Sequence, residues 1–219
     1  MNDGIILIDK PAGMTSFGVV ARVRRVLSEQ QGKKVKVGHT GTLDPFATGL
    51  MIIVTGKECR NASLYSKLDK VYEATIRLGQ TSTTGDPEGE ISEISDAVPT
   101  ETEIKKVLKK FTGEISQRPP IYSAIKVNGE RAYRLAREGK MFEIPERQVT
   151  IFSLELIDYT YPYLKINTHV SSGTYIRSLA EDIGKSLGIG AYCTELRRIS
   201  ISKWTVDQAK TLASMGILN

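Results

Sequence analysis

Three polar residues of this chain have neighbours that suit them to more than solvation. Asp44 lies in V-G-H-T-G-T-L-D-P-F-A-T-G-L (residues 37–50), where three Gly, His39, one Asp and Pro45 crowd into fourteen residues ahead of an apolar run. Glycines at 38, 41 and 49 let the backbone turn where side chains would clash, and Pro45 biases Asp44 toward an extended conformation. The stretch reads as a rigid loop presenting one carboxylate. That carboxylate is either the stabilising residue of a turn or a group held out for chemistry. Tyr72 opens an alternating strand. Arg177 falls at about the third position of a helix, where a cation opposes the macrodipole. Glu181, one turn on, would answer that charge locally; otherwise the partner is an anion from elsewhere, either a ligand phosphate or Asp44 itself.

Other familiar sites are missing. The glycine-rich loop lacks the Lys-Ser/Thr ending of a phosphate-binding loop, and there is no G-x-S-x-G elbow. His39 and His169 are too few for a metal site, and Cys59 and Cys193 are isolated, so neither zinc nor a disulfide framework is indicated. With no second catalytic acid nearby, nucleophilic use of Asp44 is the chemistry that remains.

Strands and helices must position these residues. The apolar runs 4–9 and 50–54 suit buried strands. Ser16 is placed to cap a helix with Val19, Val20, Val23, Val26 and Leu27 at helical spacing, and Gly32 to end it. Residues 71–79 alternate, with Tyr72, Ala74, Ile76 and Leu78 on one face of a half-buried strand. Residues 80–98 read as a polar, acidic loop. Thr100 and Glu103 form a capping box for a helix with Ile104, Val107, Leu108 and Phe111 inside and Gly113 as its stop. Arg118-Pro119-Pro120 cannot be helical, Val127-Asn128-Gly129 reads as a hairpin turn, and 130–138 as a short basic helix. Strands follow at 149–157 and 163–170. A loop at 171–174 ends in an N-cap, and a helix carrying Ile176, Leu179, Ala180, Ile183 and Leu187 is closed by Gly188. Without regular βαβ alternation or an internal repeat, an α+β domain on a mixed, largely antiparallel sheet is expected.

At 219 residues, 40% hydrophobic and 25% charged, the composition is that of an ordinary globular protein. No apolar run nears a membrane span and the N-terminus is no signal peptide, so a cytoplasmic location without membrane contact is expected. The net charge of +5 is segregated. Residues 22–36 hold six cations against Glu29, residues 118–147 hold seven against four acids, and residues 86–103 hold seven acids and no base. This favours an electropositive face for a polyanion.

The stretch G-H-T-G-T-L-D-P-F-A-T-G-L (38–50) resembles the signature of the bacterial tRNA pseudouridine-55 synthases, the TruB type. The resemblance continues in order through L-I-D-K-P-A-G-M-T-S (7–16), K-V-Y-E-A-T-I-R-L-G-Q (70–80), R-P-P-I-Y-S-A-I-K-V-N-G-E-R-A-Y-R-L-A-R-E-G (118–139), S-S-G-T-Y-I-R-S-L-A-E-D-I-G (171–184) and L-R-R (196–198), covering nearly the whole chain.

The resemblance implies a pseudouridine synthase fold: α+β, with a central mixed, largely antiparallel sheet flanked by helices, in one catalytic domain over 1–219 with a basic thumb insertion at about 118–147. It implies that uridine 55 in the T-loop of tRNA is flipped out, its N-glycosidic bond broken, and the base turned and rejoined through carbon, with no cofactor and no metal. Asp44 would be the nucleophile; attack on the base, attack on the sugar and a glycal intermediate all stay open. Tyr72 would stack on the uracil and move a proton. Arg177 would pair with Asp44 and hold it ionised. Tyr175 and Leu196 would line the uracil pocket, His39 would support the opened RNA loop, and Lys10, with Pro11, would buttress the substrate site. In the thumb, Arg118, Lys126, Arg131 and Arg134 would contact phosphates of the T-arm, with Tyr122 and Tyr133 at the RNA. A monomer is expected.

Two departures stand out. Thr83 occupies a position where the family often has an acid, while Asp86 matches the later acid. Family members also usually continue into a C-terminal RNA-binding domain of the PUA type. A chain ending at Asn219 is expected to lack it, with weaker tRNA affinity and retained chemistry. The competing functions are a non-catalytic RNA-binding or RNA-folding protein and an isomerase with another RNA target. The trio Asp44, Tyr72 and Arg177 favours an enzyme, and the 70–80 and thumb segments favour the T-loop.

Overall fold

A computed structural model describes residues 3–127 and 129–217. The chain divides into two compact units, Met1–Tyr72 with Arg197–Asn219, and Glu73–Leu196. The first begins with β1 (Gly4–Lys10), α1 (Ser16–Gln31), β2 (Val37–His39), β3 (Thr48–Thr55) and the short α2 (Ala62–Ser66). Its centre is β3, which is apolar from Leu50 to Val54 with each of those side chains buried, as a strand covered on both faces requires. β1 pairs with it antiparallel from Gly4↔Thr55 to Lys10↔Gly49, and β2 antiparallel from Val37↔Thr55 to His39↔Ile53. Leu50, Ile52 and Val54 pack with Ile201, Ile5, Leu7 and Trp204.

Helix α1 buries Val19, Val20, Val23 and Leu27 and ends at Gly32 in the left-handed conformation, as its sequence predicts. Its cap differs from expectation. Thr15, not Ser16, accepts the Gly18 N–H at 3.0 Å, which leaves the Ser16 hydroxyl inside the fold for another partner.

The chain continues through β4 (Lys70–Leu78), β5 (Gln80–Ser82), β6 (Ile91–Glu93), α3 (Glu101–Lys110), β7 (Gly113–Gln117), β8 (Lys126–Val127), β9 (Glu130–Arg131), α4 (Ala132–Arg137), β10 (Arg147–Thr160), β11 (Tyr163–Val170), α5 (Ile176–Leu187), β12 (Ala191–Ile201), β13 (Trp204–Thr205) and β14 (Lys210–Thr211). The strand order is β14-β1-β3-β12 in the first unit and β12-β4-β11-β10-β7 in the second. β12 contributes residues 191–196 to the second and 197–201 to the first. The fold is α+β on a mixed sheet flanked by helices, as expected.

In the second unit, β4 buries Tyr72, Ala74, Ile76 and Leu78 on alternate positions, as read from the sequence, although Tyr72 itself counts with the first unit. α3 carries the complete Thr100–Glu103 capping box and packs on β10 and α5. The expected acidic loop contains a hairpin, β5 against β6; three-residue polar strands offer no apolar alternation to read. Tyr175, the residue that precedes α5, makes no side-chain cap, while the Thr174 hydroxyl donates to the Ser171 carbonyl at 3.0 Å. The thumb leaves and returns where β7 and β10 meet at Gln117↔Arg147. It holds the β8–β9 hairpin and α4; Asn128, the middle of the expected turn, lies outside the described residues.

β12 passes β3 in parallel with Arg198 opposite Gly49. Gly49 has φ +105°, and a Cβ there would lie 2.3 Å from the Arg198 carbonyl oxygen and 2.6 Å from its nitrogen. Gly49→Ala therefore combines a left-handed backbone with an overlap against immovable main chain, and is expected to cost about 3 kcal/mol of stability or more. Urea unfolding reads this; an unchanged midpoint would contradict the close approach.

Candidate active site

The loop bearing Asp44 is gripped by three buried polar side chains of the first unit. Lys10, at the end of β1 and fully buried, donates from Nζ to the carbonyls of Pro11 (2.8 Å), Met14 (2.7 Å) and Pro45 (3.1 Å). These bonds to backbone carbonyls make it a buttress of the loop. Ser16 Oγ donates to the Leu43 carbonyl and accepts the Leu43 N–H, both at 2.8 Å. Arg198 donates from Nε to the Leu50 carbonyl (2.7 Å) and from Nη2 to the Gly41 carbonyl (3.2 Å). Two further bonds, Ala47 N–H to the Asp44 carbonyl (3.1 Å) and Gly13 N–H to the Pro45 carbonyl (2.9 Å), complete the frame. The backbone on either side of Asp44 is fixed, while the Asp44 side chain stays half-buried at the surface of the unit.

His39 ends β2, and its Nδ1 is buried without a hydrogen-bond partner among the described residues. Burial and then the charge of Arg198 hold its pKa below the usual imidazole value, and the Gly41 backbone offsets part of this. Tyr72 is buried on β4, on the same face as Lys70. The Lys70 ammonium donates to the carbonyls of Ser66 (3.0 Å) and Leu68. Burial, followed by Arg198, pushes its pKa down to about 8 against the opposing charge of Asp69.

In the second unit, Arg177 is buried in the first turn of α5. Nη1 donates to Asp86 Oδ2 (3.0 Å) and the Thr84 carbonyl (2.7 Å), and Nη2 to the Tyr122 carbonyl (2.9 Å). Asp86, equally buried, accepts at Oδ1 from the Thr84 hydroxyl (2.5 Å) and the Glu88 N–H (3.0 Å). Within this unit the cation set against the helix dipole is answered by Asp86, a partner the sequence reading did not assign; its signal was the single acid in T-S-T-T-G-D. Glu181 feels Arg177 only as a secondary influence, since burial raises its carboxyl and Arg177 lowers it.

The start of α5 also holds the root of the thumb. Gln117, buried, accepts the Tyr175 N–H at Oε1 (2.8 Å) and donates from Nε2 to the Tyr175 carbonyl (3.0 Å). Ser178 donates to the Arg118 carbonyl at 2.9 Å. Arg118, Tyr122, Tyr175 and Arg177 therefore meet at one place, with Tyr175 half-buried; Leu196 is buried on β12. Lys126, Arg131 and Arg134 are exposed on the thumb, where Arg131 bonds the Ala124 carbonyl. Gln117 and Arg198 escaped the sequence reading, and Ser16 was read only as a helix cap, because their partners are main-chain atoms.

A His that is harder to protonate when folded than when unfolded leaves the unfolded state with more bound protons below its unperturbed pKa of about 6.5, so stability falls as pH drops through that value. His39→Asn is expected to flatten this acid-side loss in thermal midpoints measured from pH 5 to pH 8, and an unaltered slope would contradict the burial of His39. Asp86→Asn removes the carboxylate from a buried ion pair and is expected to cost about 3–5 kcal/mol by urea unfolding.

Residues 24–176 match the TruB family pseudouridylate synthase (N terminal domain). The tRNA pseudouridine synthase B of Thermobifida fusca (strain YX) is 45% identical over 225 residues, covering 99% of this chain and 75% of that protein. Its namesake from Aquifex aeolicus (strain VF5) is 44% identical over 212 residues, covering 96% and 72%. Among solved structures, a chain of a Cbf5-Nop10-Gar1 complex matches with a TM-score of 0.74 at 31% identity over 96% of this chain, which spans 52% of that one, about half its length. With the family match covering most of its length and relatives of this similarity, the chain belongs to the TruB family of pseudouridylate synthases.

Proposed function

We propose that this chain converts uridine 55 in the T-loop of tRNA to pseudouridine, with Asp44 as its catalytic carboxylate. The observation that carries this reading is the grip on Asp44's loop, at Leu43 by Ser16 and at Pro45 by Lys10, in a chain of this family. The name of the relatives, tRNA pseudouridine synthase B, supports tRNA as the substrate.

The reaction is an isomerisation. The N1–C1′ bond breaks, a C5–C1′ bond forms, C5 loses its proton and N1 gains one. Addition of Asp44 to the base, its attack on C1′ and its removal of the C2′ proton all begin from an ionised carboxylate held beside the target nucleotide. Arg177 is assigned to pair with Asp44 and keep it ionised, and Tyr72 to stack on the uracil and assist loss of the C5 proton. Tyr175 and Leu196 form the walls of the pocket. The target base must first leave its stack, and the imidazole of His39, held neutral by burial, suits a place beside the opened bases. Arg118, Lys126, Arg131 and Arg134 hold the T-arm phosphates, with the Tyr122 ring against the RNA. No cofactor takes part in this scheme, and a monomer acting in the cytoplasm, on tRNA as it matures, suffices for it.

Tritium release from tRNA labelled at uridine C5 tests this reading. Wild-type protein is expected to release label, and Asp44→Asn to do so at least about 1,000-fold more slowly, the scale of losing a nucleophile or acid–base group. No release by the wild type would sink the isomerase, unchanged release by the variant would sink the role of Asp44, and mapping the product within tRNA tests the position.

A further inference from the structure

The thumb accounts for only one of the two basic stretches in this chain. The other, residues 22–36, lies on and just beyond α1, with six cations against Glu29. Phe17, in the first turn of α1, is 64% exposed, a costly position for an aromatic ring on a stable helix. Arg24, two helical turns on and on the same stripe, places its guanidinium 5.9 Å from the centre of that ring. Arg25 beside it lies 4.0 Å from Glu29, with both side chains about two-thirds exposed, so the pair neutralises little. Past Gly32, Lys33, Lys34 and Lys36 are exposed. Phe17 also follows directly after Ser16, the residue that grips Leu43 next to Asp44.

The geometry points to a second RNA-binding surface on α1, distinct from the thumb. Phe17 is a platform on which an unpaired base stacks, and Arg24 is held over the ring within reach of the adjoining phosphate. Arg25, Lys33, Lys34 and Lys36 continue along the backbone. An exposed ring flanked by cations matches the alternation of base and phosphate in a single-stranded segment. An acidic protein would satisfy the cations and leave the ring unmatched. The surface rests on the reading that the substrate is RNA, and its test requires no chemistry.

Filter binding of an unmodified tRNA transcript, measured in the Asp44→Asn background from about 50 to 300 mM salt, reads both components. Arg24→Ala with Arg25→Ala is expected to weaken binding and to lower the slope of log K against log salt by about 1 to 2. Phe17→Ala is expected to weaken binding about tenfold with the slope unchanged, and Phe17→Trp to restore it. Affinities of both variants within about twofold of the parent, with the salt slope of the arginine variant unchanged, would overturn the surface. So would a Phe17→Trp protein as weak as Phe17→Ala, which would make the ring a packing element. Tritium release by the wild type, run alongside, separates the two readings. Binding losses without release overturn the isomerase alone, and release with unaltered binding overturns this surface alone.

Discussion

A guanidinium removed from water must be met by acceptors, because an uncompensated buried charge costs far more than one fold can tolerate. Arg198, 1% exposed, is met among the described residues by carbonyls, those of Leu50 and Gly41. Those carbonyls lie at the two ends of the stretch that bears Asp44, so satisfying the arginine closes the loop. The same approach dictates glycine at position 49, where the Arg198 main chain leaves no room for a Cβ. Its charge also helps hold His39 and Lys70 toward their neutral forms. One buried cation thus shapes the loop and adds to the effect of burial on the pKa of its neighbours.

Arg177 solves the same problem differently. Its bonds include the carbonyls of Thr84 and Tyr122, the latter at the root of the thumb, and the carboxylate of Asp86. Both arginines reach far along the chain: 148 residues separate Arg198 from Leu50, and 91 separate Arg177 from Asp86. Such contacts form only once the strands and helices that carry them are in place. The loop and the thumb root are consequently products of the completed fold, and no short stretch of the sequence could preorganise either alone.

That distance explains what could be read from the sequence. The strands at Gly4–Lys10, Thr48–Thr55, Lys70–Leu78 and Tyr163–Val170, and the helices α1, α3 and α5, were legible because burial of apolar residues decides them, and burial leaves a period. The capping of α1 was misread by one residue because Ser16 has its partner 27 residues on, at Leu43. The acidic hairpin left no period. The residue types at Asp44, Tyr72 and Arg177 stood out by placement and by family resemblance. The roles of Arg198, Gln117 and Ser16 did not, since each recognises a peptide group, and a peptide group has no letter in the sequence. Asp86 was visible only as one acid in an acidic segment until its arginine was found.

The arrangement of Asp44 also bears on what kind of RNA protein this is. A protein that only binds RNA is served by exposed cations such as Lys126 and Arg134 on the thumb, because phosphate contacts tolerate imprecise geometry. A carboxylate at the surface of such a protein repels phosphate, and holding its backbone rigid from three sides adds nothing to affinity. Chemistry makes the opposite demand. A reacting group must be held to within about half an ångström of its productive place, and the supporting residues must themselves be immobile. Lys10, Ser16 and Arg198 are buried, and each takes part in a bonded frame around a single half-buried carboxylate. Rigid support beneath an acid, with exposed cations on the thumb and on α1, is the division of labour an isomerase needs and a binding protein does not.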